Sequence, residues 1–121
     1  MYHELLMEHY KFPTYKKEIK NPIVSSHDLN ASCGDTITFD LIIENDIIVD
    51  LGFTGSGCII SQASADILAG HLHQKNIALV HQITSQDLLG MMEITLGPNR
   101  LKCALLALQI LQKAIAKYQD E

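Results

Sequence analysis

Cysteine is scarce in this sequence. Only Cys33, Cys58 and Cys103 occur in 121 residues. An odd number cannot all pair within one chain, so a complete internal disulfide framework is excluded. No apolar run approaches the ~20 residues that a membrane helix requires. An excess of positive charge is also missing. Nine Lys and Arg against fourteen Asp and Glu leave a net charge of −5, which argues against nonspecific binding to nucleic acid or to an anionic membrane. Repeats and low-complexity tracts are absent, and the first ten residues show no basic start leading into an apolar segment, so they do not read as a signal peptide. The chain therefore reads as soluble and cytosolic, where thiols stay reduced and are free to bind metal or carry sulfur.

What is present suits a globular protein. The sequence is 47% apolar and 19% charged, and its length allows one domain over residues 1–121. Residues 1–11 have helical spacing, with Leu5, Leu6, His9 and Tyr10 on one side. Phe12-Pro13 ends that helix, because the residue before proline is pushed out of the α region. Residues 13–22 read as an exposed connection. Thr36–Glu44 and Ile47–Thr54 are rich in β-branched residues and flank the turn pair Asn45-Asp46, which predicts an antiparallel hairpin. Ile23–Asn30 adds a third strand. Residues 59–73, 76–82 and 85–93 are helical candidates. A last helix, capped by Asn99 and running to Tyr118, presents Leu101, Leu105, Leu108, Leu111, Ala114 and Ile115. Helix, strands, then helices predict an α+β fold: a small antiparallel three-stranded sheet with helices on one face.

The cysteines fall 25 and 45 residues apart, each near a junction between elements. Cys33 precedes Gly34, which permits a sharp turn, and Asp35 follows within reach of the same centre. Cys58 comes after Gly55-Ser-Gly57 and begins a helix, where unpaired N–H groups favour a thiolate. Cys103 lies about one turn into the last helix, close in sequence to Arg100 and Lys102, whose positive charge favours a thiolate too. Three thiolates and one carboxylate make the four ligands of a tetrahedral zinc site. Soft sulfur suits zinc or iron–sulfur chemistry and disfavours magnesium or calcium. A single cysteine taken alone is more often a small buried hydrophobe, and no CxxC pair occurs. Spacing alone thus points only to a metal site without fixing it.

The local sequences go further. Ser32-Cys-Gly-Asp35, Phe53-Thr-Gly-Ser-Gly-Cys58-Ile-Ile-Ser61-Gln-Ala-Ser64-Ala and Arg100-Leu-Lys-Cys103, with Glu8-His9-Tyr10 in the first helix, resemble the iron–sulfur cluster assembly scaffold family: IscU, SufU and the NifU N-terminal domain. The resemblance covers nearly the whole chain. It implies that Cys33, Asp35, Cys58 and Cys103 bind zinc, iron or a nascent [2Fe-2S] cluster, with Asp35 keeping a cluster labile. It implies a cysteine desulfurase as sulfur donor, Cys103 as persulfide acceptor, and iron–sulfur apoproteins as recipients. A sulfur acceptor must be an accessible thiolate. The chain would be a scaffold or sulfur relay and not itself the desulfurase, since nothing suggests a pyridoxal phosphate site. Lys102 stands where the IscU branch has a histidine, and Arg-x-Lys-Cys resembles SufU. The insertion that SufU carries before its last cysteine is not seen in the 45-residue gap. Leu96-Gly-Pro-Asn-Arg100 replaces the chaperone-binding Leu-Pro-Pro-Val-Lys of IscU, and Pro13-Thr-Tyr replaces a proline–arginine pattern.

Other features read more plainly. His3, His9, His27, His71, His73 and His81 lie beside no cysteine and read as surface or packing residues. Gly55-Ser-Gly57 lacks the further glycine and the lysine of a phosphate-binding loop. Met91-Met92 reads as core filling, and Lys16, Lys17 and Lys20 as a solvated surface. Two rival functions stand beside the scaffold. One is a purely structural zinc module. The other is a thiol redox protein, for which the sequence shows no close dithiol pair.

Overall fold

Asn45 and Asp46 both take positive φ, 53° and 63°. This is the mirror-image geometry of a two-residue hairpin turn. It joins β2 (Asp35–Glu44) to β3 (Ile47–Ser56) in antiparallel register, with Phe39 opposite Phe53. β1 (Val24–Asn30) pairs with the other side of β2, from Val24 opposite Leu41 to Asn30 opposite Asp35, so the sheet order is β1-β2-β3. The computed structural model describes residues 3–120. The expected first helix is α1 (Glu4–Lys11); the first two residues of that expectation lie outside the described residues. The later helices are α2 (Ile59–Leu72), α3 (Ala78–Gln82), α4 (Ser85–Met92) and α5 (Pro98–Gln119). The α+β architecture predicted from the pattern is the one observed. Among the described residues, no helix is long and apolar enough to cross a membrane.

The sheet buries one face. Along β2 the buried residues alternate, Asp35, Ile37, Phe39, Leu41 and Ile43, with partly exposed ones between them. Period-two side-chain direction requires this when one face meets a core. α5 packs on β1 and β2, and α2 packs on β3 and α5. α2 is buried on nearly every side from Ile60 to Ala69. Its small residues permit close approach, and Ser64 Oγ donates to the carbonyl of Ala104 at 2.7 Å. Met92 is fully buried and Met91 packs against the core, as the sequence suggested.

Two expectations change. Asn99 does not cap α5. Gly97 holds the cap position without a side-chain bond and Pro98 occupies the first helical position, where its fixed φ and missing N–H cost nothing. The connection after α1 is more than exposed chain. Tyr15 pairs its carbonyl with the N–H of Phe53 at 2.9 Å. The Ile19 N–H donates to Asp40 Oδ2 at 3.3 Å. Lys17 and Ile19 lie so close over Gly52 that no side chain fits there. The segment is a strap across the outer face of the sheet.

A buried carboxylate anchors this strap and α1 together. Asp66 of α2 is 1% exposed. Its Oδ1 accepts the N–H of Tyr15 at 2.8 Å and its Oδ2 pairs with His9 Nδ1 at 2.6 Å. Replacing Asp66 with Ala would leave two donors without an acceptor, so it should cost ~2–3 kcal/mol. Asp66→Asn keeps an oxygen for Tyr15 and should cost less. Urea unfolding midpoints check this order; an unchanged midpoint for Asp66→Ala would contradict it.

Candidate functional site

Three elements deliver the site residues to one end of the sheet. The turn from Ala31 to Gly34 between β1 and β2 carries Cys33, whose N–H donates to the carbonyl of Asn30 at 3.2 Å. Gly34 takes φ +71°, and this left-handed turn sends Asp35 back into the sheet as the first residue of β2. Cys58 is the N-cap of α2, and its sulfur accepts the N–H of Ser61 at 3.4 Å. Cys103 sits on the buried side of α5.

Asp35 is fully buried. Its Oδ1 accepts the N–H of Cys58 at 2.8 Å, and its Oδ2 lies 3.9 Å from Cys58 Sγ, toward which that thiol donates. The carboxylate thus clamps the start of α2 to the start of β2. Gly57 makes the approach possible. It takes φ +148°, and any side chain there would collide with Asp35. On the other side, Cys103 Sγ lies 2.9 Å from Cys33 Sγ. These two thiols, 70 residues apart, are the close pair that sequence spacing did not reveal. Ligand atoms of Cys33, Asp35 and Cys103 all lie within 4.8 Å of one another. Cys58 falls outside that group and contacts it at Asp35. A cavity of about 260 Å³ is lined by Cys33, Cys58, Ile60, Asn99, Arg100 and Cys103.

The thiols differ in access. Cys33 is exposed, Cys58 half-buried, and Cys103 only 3% exposed. Burial, and then the hydrogen bond to Cys33, push the Cys103 thiol well above its ordinary range. The expected thiolate-favouring effect of nearby cations does not prevail for Cys103. Of the two cations, Arg100 lines the cavity, whereas Lys102 lines a neighbouring groove with Leu29, Asn30 and Leu105. One helical residue is a turn of ~100°, which sets Lys102 off the face of Cys103. No histidine belongs to the metal-ligand group found among the described residues. Instead His9 binds Asp66, His3 binds the carbonyl of Met92, and His27 bonds Thr38. The sequence did not mark Asn30 as a site residue, and Asn99, expected there as a helix cap, lines the cavity instead. Asn30 Nδ2 donates to Cys103 Sγ at 3.8 Å, and its place three residues before Cys33 was the available signal.

Residues 1–121 match the sequence profile of the NifU-like N terminal domain. The chain is 30% identical to the zinc-dependent sulfurtransferase SufU of Bacillus subtilis (strain 168), covering 97% of this chain and 90% of that protein. It is 26% identical to the iron–sulfur cluster assembly scaffold protein IscU of Thermotoga maritima, covering 97% and 94%. These alignments run over 134 and 133 positions, more than the 121 residues here, so both relatives carry residues without a counterpart in this chain. A crystal structure from Fervidobacterium islandicum AW-1, described as an iron–sulfur cluster assembly scaffold protein for the SUF system, superposes with a TM-score of 0.84 at 28% identity, covering 94% of this chain and 96% of that one. The N-terminal part of a NifU-like protein from Brucella abortus shares the fold, with a TM-score of 0.81 at 14% identity, covering 98% and 94%. The chain belongs to the NifU-like N-terminal domain family of iron–sulfur cluster assembly scaffolds.

Proposed function

We propose that this protein accepts persulfide sulfur from a cysteine desulfurase, holds a metal ion or a nascent cluster at Cys33, Asp35, Cys58 and Cys103, and passes its load to apoproteins. The observation that carries the reading is that ligand atoms of Cys33, Asp35 and Cys103 lie within 4.8 Å of one another, with Cys58 beside Asp35 at 3.9 Å and the three thiols lining one cavity. The donor set suits zinc or iron, with sulfur as the majority ligand. Asp35 Oδ1 is held by Cys58, which leaves Oδ2 as the ligand atom. Cys33 and Cys103, with sulfurs 2.9 Å apart, would hold the ion together with Asp35 and Cys58. Bound zinc would hold the thiols as thiolates, ready to act as nucleophiles. Iron or a cluster would be cargo.

The sulfur step needs an accessible nucleophile, and exposure favours Cys33 over the Cys103 expected from the resemblance. The Cys33 thiolate attacks the outer sulfur of the donor's persulfide. A new S–S bond forms at Cys33 as the donor's own S–S bond breaks, and the donor leaves as a thiolate. Cys103, adjacent at 2.9 Å, then takes the outer sulfur by the same exchange. The exposure of Cys33 supports sulfur transfer over a purely structural zinc module, whose thiols need no access. The thiols have to stay reduced to work, so the reading places the protein in the cytoplasm.

Three outcomes test it. Mixed with a desulfurase and free cysteine, the protein should gain one sulfur atom by mass spectrometry. Cys33→Ala should abolish the gain, whereas Cys103→Ala should retain it on Cys33. Sulfur appearing on Cys103 in the Cys33→Ala protein would sink the order. Zinc affinity, measured by chelator competition, should rise with pH, because the raised thiol of Cys103 must give up its proton on binding; a flat profile would contradict this. Gly57→Ala should push Asp35 off Cys58 and weaken zinc binding at least ~tenfold. Gly34→Ala meets no neighbour and should cost only ~1–2 kcal/mol of backbone strain.

A further inference from the structure

We propose that Asn30 is a positioning residue for the site, holding the sulfur of Cys103 through an N–H···S bond while its main chain fixes Cys33. The inference rests on the four-residue site described above. Asn30 ends β1 directly opposite Asp35 in the strand register. Its carbonyl accepts the N–H of Cys33 at 3.2 Å. Its Nδ2 donates to Cys103 Sγ at 3.8 Å. One residue therefore touches both members of the 2.9 Å sulfur pair and neighbours the carboxylate.

The chemistry follows from where Cys103 sits. Its sulfur is buried, and a buried sulfur that carries charge needs donors directed at it. The thiol of Cys103 spends its own proton on Cys33. An amide N–H aimed at the sulfur stabilises its charged forms, whether metal-bound thiolate or persulfide, and occupies no coordination position while doing so. Hydrogen bonds to ligand sulfur orient the ligand and tune its bond to the metal. Lys102 and Asn30 both line the neighbouring groove, and the amide of Asn30 reaches from it to the sulfur.

Cobalt(II) is the probe, since its bond to thiolate absorbs light. In the full chain, Asn30→Ala removes the donor and leaves the main-chain turn at Cys33. Its sulfur-to-cobalt absorption should shift, and a chelator should strip the metal about tenfold faster than from the original protein. Asn30→Asp keeps the shape but turns a donor into a negative acceptor, and should release faster still. It also keeps the inference testable if Asn30→Ala folds poorly. Asn30→Gln keeps the amide on a longer stem and should recover part of the difference. Unfolding midpoints of the metal-free proteins separate these effects from a general loss of structure. Original protein that loads cobalt, with unchanged absorption and release in the Ala and Asp variants, would overturn the role of Asn30 alone. Original protein that takes up no cobalt would overturn the site itself and this inference with it.

Discussion

The bond from Cys58 N–H to the buried carboxylate of Asp35 is the constraint on which the site depends. A carboxylate at zero exposure needs a donor to offset its desolvation, and the unpaired N–H groups at the start of α2 supply one. The same bond pins α2 to the hairpin and sets the spacing between Cys58 and the turn that carries Cys33. Gly57 is part of the arrangement, since a Cβ at that position would occupy the space of the carboxylate. Local backbone geometry, a helix end and a candidate ligand are thus one object. A substitution in any of them reaches the others.

The body of the protein is organised to hold that object still. The serine and alanine residues of α2 let it pack closely on α5, and Ser64 ties the two helices beside Cys103. Asp66 draws α1 and the strap after it onto α2. Both edges of the sheet receive hydrogen bonds from other parts of the chain. Lys113 and Lys117 of α5 donate to the outward carbonyls of His27 and Ser25 on β1, while Tyr15 and Lys75 pair with β3. Each such bond removes one group with which another strand could pair. The end bearing the thiols is open, with Cys33 exposed and Cys103 buried beside it.

Much of this was legible in the sequence, for identifiable reasons. Alternation along residues 36–44 and the Asn45-Asp46 pair are local signals, and they gave the hairpin and its turn. Helical periodicity located α2 and α5 to within a residue or two. The four candidate residues were named from their motifs, and the fold brings Cys33, Asp35 and Cys103 together with Cys58 beside Asp35. What escaped was long-range or angular. Gly97 caps α5 and Pro98 takes its first position, so the helix begins two residues before the start that an Asn99 cap implies. The strap over Gly52 depends on partners some thirty-five residues away. The meeting of Cys33 with Cys103 is made by the fold alone. Burial, rather than nearby cations, governs the Cys103 thiol, and no sequence pattern records how deep a side chain lies.

The central claim is that one metal ion is held by three sulfurs and one oxygen. X-ray absorption at the metal edge of anaerobically purified protein reads that donor set directly. The account predicts a first shell of three sulfur scatterers and one oxygen, with a sulfur lost in each Cys→Ala variant. A shell of nitrogen and oxygen only, or no bound metal, would contradict it.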